Sequence, residues 1–326
     1  MSGVAMNEIS RLTPFPFQPD AVAREMPLYV FGHKNPDSDS ICSALVVADW
    51  LNHLGKPAVA FRLGDLTPET RYILAAAGVQ APALLTDDLR DRKVWLVDFT
   101  DIEQGPASLP DSDVVGVIDH HRLGTLVTRN PPDVWVRAVG CCATVILQIL
   151  TAERPMPLSA AQATLLLGAI LSDTVALSAP TTTEQDRLAV TRLRAISHVD
   201  YDAFIAGLLA AKTDLSGQSA PQLLQRDAKN YRIHTVSLLL SQIEVRAMSD
   251  IDPLLPALQQ ALEQAKQEAG LEMAALLVTD ITRRRSTLYF SSNRVLGIRQ
   301  VSLPDMTSRK KEVLPWLTLQ IANAGR

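Results

Sequence analysis

Leu28-Tyr-Val-Phe-Gly32-His33-Lys-Asn-Pro-Asp37-Ser-Asp39-Ser40 is the stretch whose reading sets the fold. An apolar run that reads as a buried strand ends at Gly32, and a long apolar helical pattern begins near Ser40. His33, Asp37 and Asp39 therefore crowd onto one strand-to-helix turn. In an open α/β sheet such a turn lies at the carboxyl edge of the strands, where ligands bind. Two carboxylates and an imidazole with only Lys34 as a nearby cation repel one another unless a multivalent ion joins them. The turn reads as half of a metal site, although Asn-Pro-Asp-Ser is equally ordinary turn and N-cap chemistry.

Working outward, the pattern from 28 to about 197 alternates short β-rich runs with helical ones. Strands are expected over 28–32, 58–62, 94–98, 114–118 and 134–138, and helices over 41–54, 68–77, 143–151, 159–171 and 183–196. The runs at 94 and 114 are nearly continuous in apolar residues, as burial on both faces of a parallel sheet requires. The expectation is an α/β protein whose N-terminal domain is a doubly wound parallel sheet. Residues 198–224, with Gly207, Ser216, Gly217 and Pro221, read as a hinge containing one helix. Beyond it, strands over 232–240, 273–281 and 287–292 and a helix over 253–268 predict a smaller C-terminal α+β domain with a mixed sheet. The domain boundaries are thus an extension at 1–26, a catalytic part at 27–197, a linker at 198–224 and a closing part at 225–326.

Two further strands end in acids. One stops on Asp98, and the other on Asp119-His120-His121, both at the sheet edge that carries His33. A very apolar helical run then ends on Ser172-Asp173, an odd place for a charge unless something positive meets it. Taken singly, a strand-final aspartate is usually a turn residue, and His120-His121 reads equally as a loop tip. Their agreement on one sheet edge favours ligation. Mixed carboxylate and imidazole donors suit a transition ion such as Mn²⁺. They are too many for one ion, and a pair about 3.5–4 Å apart, bridged by a carboxylate and a water, would use them all. The water between such ions ionises near neutral pH and becomes a nucleophile, a geometry typical of enzymes that cut phosphate bonds.

Composition narrows the field. The chain has 326 residues, a formal net charge of −4 and three cysteines, two of them adjacent. Nothing in that balance draws it to nucleic acid or an anionic membrane, and the cysteines do not make a disulfide framework, so a reducing cytoplasm is expected. No apolar run reaches the ~18 residues of a spanning helix, and the opening residues, with Pro14-Phe-Pro-Phe-Gln-Pro19, lack the apolar core of a signal peptide. They read as a loosely packed extension.

Gly32-His33-Lys-Asn-Pro-Asp37-Ser-Asp39-Ser40-Ile-Cys-Ser-Ala44 and Asp119-His120-His121 resemble the signatures of the DHH phosphoesterase superfamily. Ser308-Arg309-Lys310-Lys311-Glu-Val-Leu-Pro315 resembles the C-terminal motif of the manganese-dependent (family II) inorganic pyrophosphatases, with a DHHA2-like second domain. Arg137-Ala-Val-Gly140-Cys-Cys-Ala-Thr144, Ser172-Asp173, Asp214-Leu-Ser and Asp227-Ala-Lys also fit, so the likeness runs from about 28 to 317. The resemblance implies two Mn²⁺ ions per subunit, with Co²⁺ or Mg²⁺ as substitutes and additional Mg²⁺ arriving with substrate. His33, Asp37 and Asp98 would hold the first ion; Asp39, Asp98, His120 and Asp173 would hold the second. His121 would face the substrate and Asp119 would orient the imidazoles. Arg309 and Lys310 would close over the phosphates of pyrophosphate. It further implies a homodimer built on the larger domain.

Two departures from the family pattern stand out. The bridging aspartate is usually followed by His-Asn-Glu, whereas this chain has Asp98-Phe99-Thr100-Asp101. The lysine that usually contacts phosphate aligns with Ala210, leaving Lys212 as a substitute. These departures motivate a second reading, hydrolysis of short-chain polyphosphate or another small phosphoanhydride at the same centre. A third, of a different class, is a metal-binding regulatory protein without turnover. The Gly-Gly-Gly-His segment of relatives that cut nucleotide diesters is absent.

Overall fold

The computed structural model describes residues 26–324, so the extension expected at 1–26 falls, apart from Met26, outside the described residues. The first half runs β1 (Leu28–Lys34), α1 (Ser38–His53), β2 (Ala58–Leu63), α2 (Pro68–Ala77), β3 (Ala83–Leu84), β4 (Lys93–Val97), β5 (Asp113–Asp119) and β6 (Asp133–Val136). It continues with α3 (Cys142–Gln148), α4 (Ala160–Asp173), α5 (Glu184–Ser197) and α6 (Tyr201–Lys212). The six strands pair in parallel in the order β3-β2-β1-β4-β5-β6. The order reverses between β1 and β4, and the crevice beyond the carboxyl ends of those two strands is where such a sheet binds its ligand.

Helices cover one face of this sheet. Ile41, Val47, Trp50 and Leu51 of α1 pack with Trp95, Ile118 and the α4 residues Leu166 and Ile170 into one cluster. Trp50 meets Trp95 edge-on at 5.6 Å. The other face, with Phe31, Leu96, Phe99 and Val117, packs against loop residues instead, among them Leu85, Leu89, Ile102, Leu109 and Leu126.

The second half holds α7 (Ala220–Gln225), β7 (Ala228–Ile233), β8 (Val236–Val245), α8 (Leu255–Glu268), β9 (Met273–Asp280), β10 (Arg285–Phe290), β11 (Gln300–Pro304) and α9 (Leu314–Ala324). Its sheet order is β11-β10-β9-β8-β7, mixed because β8 and β9 are parallel while the other pairs are antiparallel. The single strand expected over 232–240 is a hairpin of β7 and β8. Its turn carries no glycine or proline; His234 takes φ +53° instead, so the usual punctuation was missing. β11 and α9 were also unanticipated. Within the expected hinge, α6 buries Phe204 and Leu208 in the first cluster, whereas α7 buries Leu223 and Leu224 beneath the second sheet. No helix among the described residues is long and apolar enough to cross a membrane.

Gly32 sets how closely α1 sits on β1. A Cβ there would lie 1.7 Å from Ser40 Oγ, the same oxygen that accepts the His33 backbone N–H at 3.0 Å. Gly32→Ala must push α1 off the strand, and we expect it to lower stability by about 1–3 kcal/mol, read as a lower midpoint in urea unfolding. An unchanged midpoint would contradict this packing.

Candidate metal centre

β1 ends one residue beyond His33, and Asp37 caps α1 by accepting the Ser40 N–H at 3.0 Å. The cap and ligand readings of this turn are therefore compatible, since the cap uses Oδ1 and Oδ2 faces His33 and Lys229. Asp39 follows in the first turn of α1, and its oxygens accept the N–H groups of Cys142 (2.6 Å) and Ala143 (3.1 Å) at the start of α3, together with Ser43 Oγ (2.8 Å). Asp98 lies just past β4 with φ +65°, a strained backbone for a non-glycine residue. His120 and His121 follow β5, and Asp173 is the last residue of α4.

These side chains meet. His33 Nε2 lies 3.1 Å from Asp98 Oδ2, and His120 Nε2 lies 3.2 Å from Asp98 Oδ1. His33 Nε2 is also 3.3 Å from Asp37, and His120 Nε2 is 3.7 Å from Asp39 and 3.8 Å from Asp173. Both Asp98 oxygens are buried and neither accepts a hydrogen bond. Close imidazole nitrogens without hydrogen-bond geometry are what a carboxylate shared by cations requires. The Nδ1 atoms fit as well: that of His33 lies 2.9 Å from the Lys34 carbonyl and that of His120 lies 3.2 Å from the Val139 carbonyl. With the proton held at Nδ1, each Nε2 offers its lone pair to an ion. The donor set present thus fits divalent metal.

Asp119 anchors the turn after β5. Its Oδ1 accepts the backbone N–H groups of His120 (2.7 Å) and His121 (3.2 Å) and stands 2.8 Å from His121 Nδ1. Burial, with the charges of His120 and Lys310, pushes the His121 pKa well below its usual range, so the ring is neutral at pH 7.

Charge at the centre is uneven. Burial and the Asp98 charge raise the Asp39 carboxyl to about 6. Burial together with Asp39 and Asp37 lifts Asp173 well above the carboxylate range. Asp98 is driven the other way: burial opposes its charge, yet Lys310 and the two imidazoles hold it well below.

The second sheet supplies the facing wall. One cavity is lined by Asp98, His121 and Asp173 on one side and by Arg309 and Lys310 on the other, with Lys212 at its end. Lys310 Nζ reaches to 3.5 Å from His121 Nδ1. Arg309 lines the cavity but turns its guanidinium to Asp227 at 2.8 Å. Lys212 lies 3.3 Å from Ser172 Oγ and is clamped by Glu244 (2.6 Å) and Glu69 (3.9 Å). Ala210 leaves a cationic vacancy in the pattern of the sequence, and Lys212 brings its ammonium to the same cavity from two residues later.

Several residues inside the quoted motifs take part without having been given a role. Lys229, 3% exposed, places Nζ 2.7 Å from His33 Nε2 and 3.4 Å from Asp37. Its signal was the Asp227-Ala-Lys motif itself. Asn35, with φ +50°, donates to the Ala228 carbonyl at 2.6 Å and ties the first turn to β7. Cys141 Sγ groups with Asp39 and Asp173, and Lys311 Nζ lies 3.2 Å from His120 Nδ1.

Comparison with known proteins gives a consistent picture. Residues 27–170 match the DHH family, N-terminal domain, and residues 206–319 match the DHHA2 domain. A Deinococcus radiodurans protein named probable manganese-dependent inorganic pyrophosphatase is 36% identical over 306 residues, covering 89% of this chain and 97% of that protein. A protein of the same name from Staphylococcus saprophyticus is 33% identical over 301 residues, covering 89% and 97%. The crystal structure of the Methanococcus jannaschii putative family II inorganic pyrophosphatase superposes with a TM-score of 0.84 at 30% identity, covering 90% of this chain and 99% of that one.

The raised carboxyls carry a pH signature. Asp39 and Asp173 have raised carboxyls whose protons an ion bound there would displace, whereas those of Asp98 and Asp37 are lowered. Mn²⁺ affinity should therefore rise with pH through about 6. Titration calorimetry in two buffers of different ionisation heat should show proton release at low pH that diminishes as these carboxyls ionise. For the metal-free fold the sign is opposite: stabilisation tied to protonated Asp39 is lost as pH rises from the ordinary carboxylate value through about 6. Buffer-independent heats in that range would refute the assignment.

Proposed function

The chain belongs to the manganese-dependent, family II inorganic pyrophosphatases, and on that premise we propose that it hydrolyses inorganic pyrophosphate to two orthophosphates at a dinuclear Mn²⁺ centre. The observation that carries this reading is Asp98, buried and strained, with an imidazole Nε2 against each of its unpartnered oxygens.

His33, Asp37 and Asp98 would hold the first ion, and Asp39, Asp98, His120 and Asp173 the second. Ions held there would lower the pKa of water toward neutral pH and withdraw charge from the attacked phosphate. The protein does the rest. Neutral His121, its Nδ1–H fixed on Asp119, presents the Nε2 lone pair as an acceptor for the proton of a protonated phosphate oxygen. Lys310, kept cationic by Asp98 and Asp37 despite its burial, neutralises the leaving phosphate, with Arg309 and Lys212 lining the same cavity. Substitution at one phosphorus by the oxygen of a water molecule breaks the bridging P–O bond, and the two protons of that water end one on each orthophosphate.

The division into a metal-holding part at 27–197, a linker at 198–224 and a closing part at 225–326 belongs to the same proposal. It is supported by the acids and imidazoles lying on one sheet edge and the cations largely across the cavity. Closure over substrate excludes water and aligns the attack. A cytoplasmic location is supported by three unpaired, buried cysteines. A homodimer through the larger part is supported by β6, an edge strand with Val134 52% exposed. Phe99 and Ala210 favour keeping short-chain polyphosphate as a second substrate.

Phosphate release by Mn²⁺-loaded protein, run on pyrophosphate, tripolyphosphate and a dinucleotide, tests the reading. We expect pyrophosphate to be the best substrate, and no release from any of them by metal-replete protein would leave a binding module. Asp98→Asn should lose both ions by metal analysis and about 10²-fold or more in turnover. Lys310→Ala should keep its manganese and raise KM about tenfold or more. Unchanged kinetics in Lys310→Ala would remove the closing part from the reaction.

A further inference from the structure

The cations that line the metal cavity are unevenly committed. Lys310 reaches toward the metal side, 3.5 Å from His121 Nδ1. Those farther along the wall already have partners. Lys311 Nζ faces His120 Nδ1 at 3.2 Å and the Val139 carbonyl. Arg226 donates to the Asp214 carbonyl at 2.8 Å, to the Lys212 carbonyl at 2.9 Å and to Glu69 at 3.1 Å. Lys212, the last residue of α6, places Nζ 2.6 Å from Glu244 and 3.9 Å from Glu69. At this end of the cavity two acids and two bases cancel in formal charge.

Glu244 comes from the other half of the molecule. Alternation along β8 puts Gln242 and Glu244 on one face, and both line the cavity. Gln242 is turned to its own sheet, its amide donating to Thr279 Oγ1 and to the Thr307 carbonyl at 3.0 Å each. Glu244 instead reaches across to α6. The side chains of Lys212 and Glu244 are 11% and 19% exposed, so little water screens the pair. Burial opposes the charge on Lys212, yet Glu244 and then Glu69 raise its pKa above the ordinary range, and it stays an ammonium.

We propose that Glu244 sets the length of phosphate chain this site accepts: by holding Lys212 it leaves the α6 end of the cavity without a cation to offer, so that a phosphate beyond the second meets a carboxylate. Pyrophosphate is served by the metal side and Lys310. Tripolyphosphate must lay its additional charge against the neutral end or leave it in solvent, and a carboxylate repels it there. Preference is thus built from a repulsive element as well as an attractive one. The inference rests on the pyrophosphate reading above and names the residue that keeps longer chains out.

The test compares kcat/KM for tripolyphosphate and pyrophosphate in Mn²⁺-loaded enzyme. The unsubstituted enzyme should prefer pyrophosphate about tenfold or more. Glu244→Gln keeps the shape and frees the Lys212 ammonium. It should raise kcat/KM for tripolyphosphate about tenfold, mainly through KM, and leave that for pyrophosphate within about twofold. Adding Lys212→Ala to Glu244→Gln should cancel the gain, because the released cation is the one that meets the extra phosphate. If Glu244 only braces the fold, both substrates fall together in Glu244→Gln along with the unfolding midpoint, and that result would overturn the proposal. So would a gain that persists in the double variant, or equal kcat/KM for the two anions in the unsubstituted enzyme, a measurement that needs no variant. If metal-replete unsubstituted enzyme releases no phosphate from pyrophosphate, the assigned reaction fails instead, and calorimetric affinities of the two anions for it and for Glu244→Gln test the length limit separately.

Discussion

One buried carboxylate governs this molecule. Asp98 sits where β4 ends, out of water, with two imidazoles brought to its two oxygens from neighbouring strands. A charge in that position is costly unless cations meet it, and its left-handed backbone adds strain that the surrounding sheet must hold. The parallel order of β1, β4 and β5 supplies that hold, because adjacent strands end together and deliver His33, Asp98 and His120 to one crevice. Fold and chemistry are set by the same constraint.

The second half answers the charge of the first. Lys310, Lys311 and Lys229 all reach the imidazoles or carboxylates of the candidate metal edge, although they come from elements far apart in sequence. These contacts pair a cationic wall with an anionic one across the cavity. A substrate rich in negative charge can be gripped from both sides only when its own charge is divided between metal and ammonium, which is how phosphoanhydride cleavage is supported without covalent chemistry from the protein.

Much of this was legible in the sequence, and the reasons are specific. His33, Asp98 and His120 stood at the ends of strands with continuous apolar runs, so the parallel sheet that buries those runs also fixed where the ends must gather. Asp173 was conspicuous as an acid closing an apolar helix. Other features were silent. The β7–β8 hairpin turned on His234 without glycine or proline, so two strands read as one. Lys229 and Lys311 lie far along the chain from the histidines they touch, and no periodicity in sequence encodes a contact between separately folded sheets.

The bond from Asn35 to the Ala228 carbonyl gives the cleft a mechanical property. Asn35 stands between His33 and Asp37, and Ala228 directly precedes Lys229. The loop proposed to grip one ion and the strand proposed to border the substrate are thus stitched together by this bond and by the Lys229 contacts to His33 and Asp37. Widening the gap between the two sheets strains or breaks that stitch, so ion retention and gape become reciprocal quantities: whatever favours one must, by linkage, favour or oppose the other to the same degree.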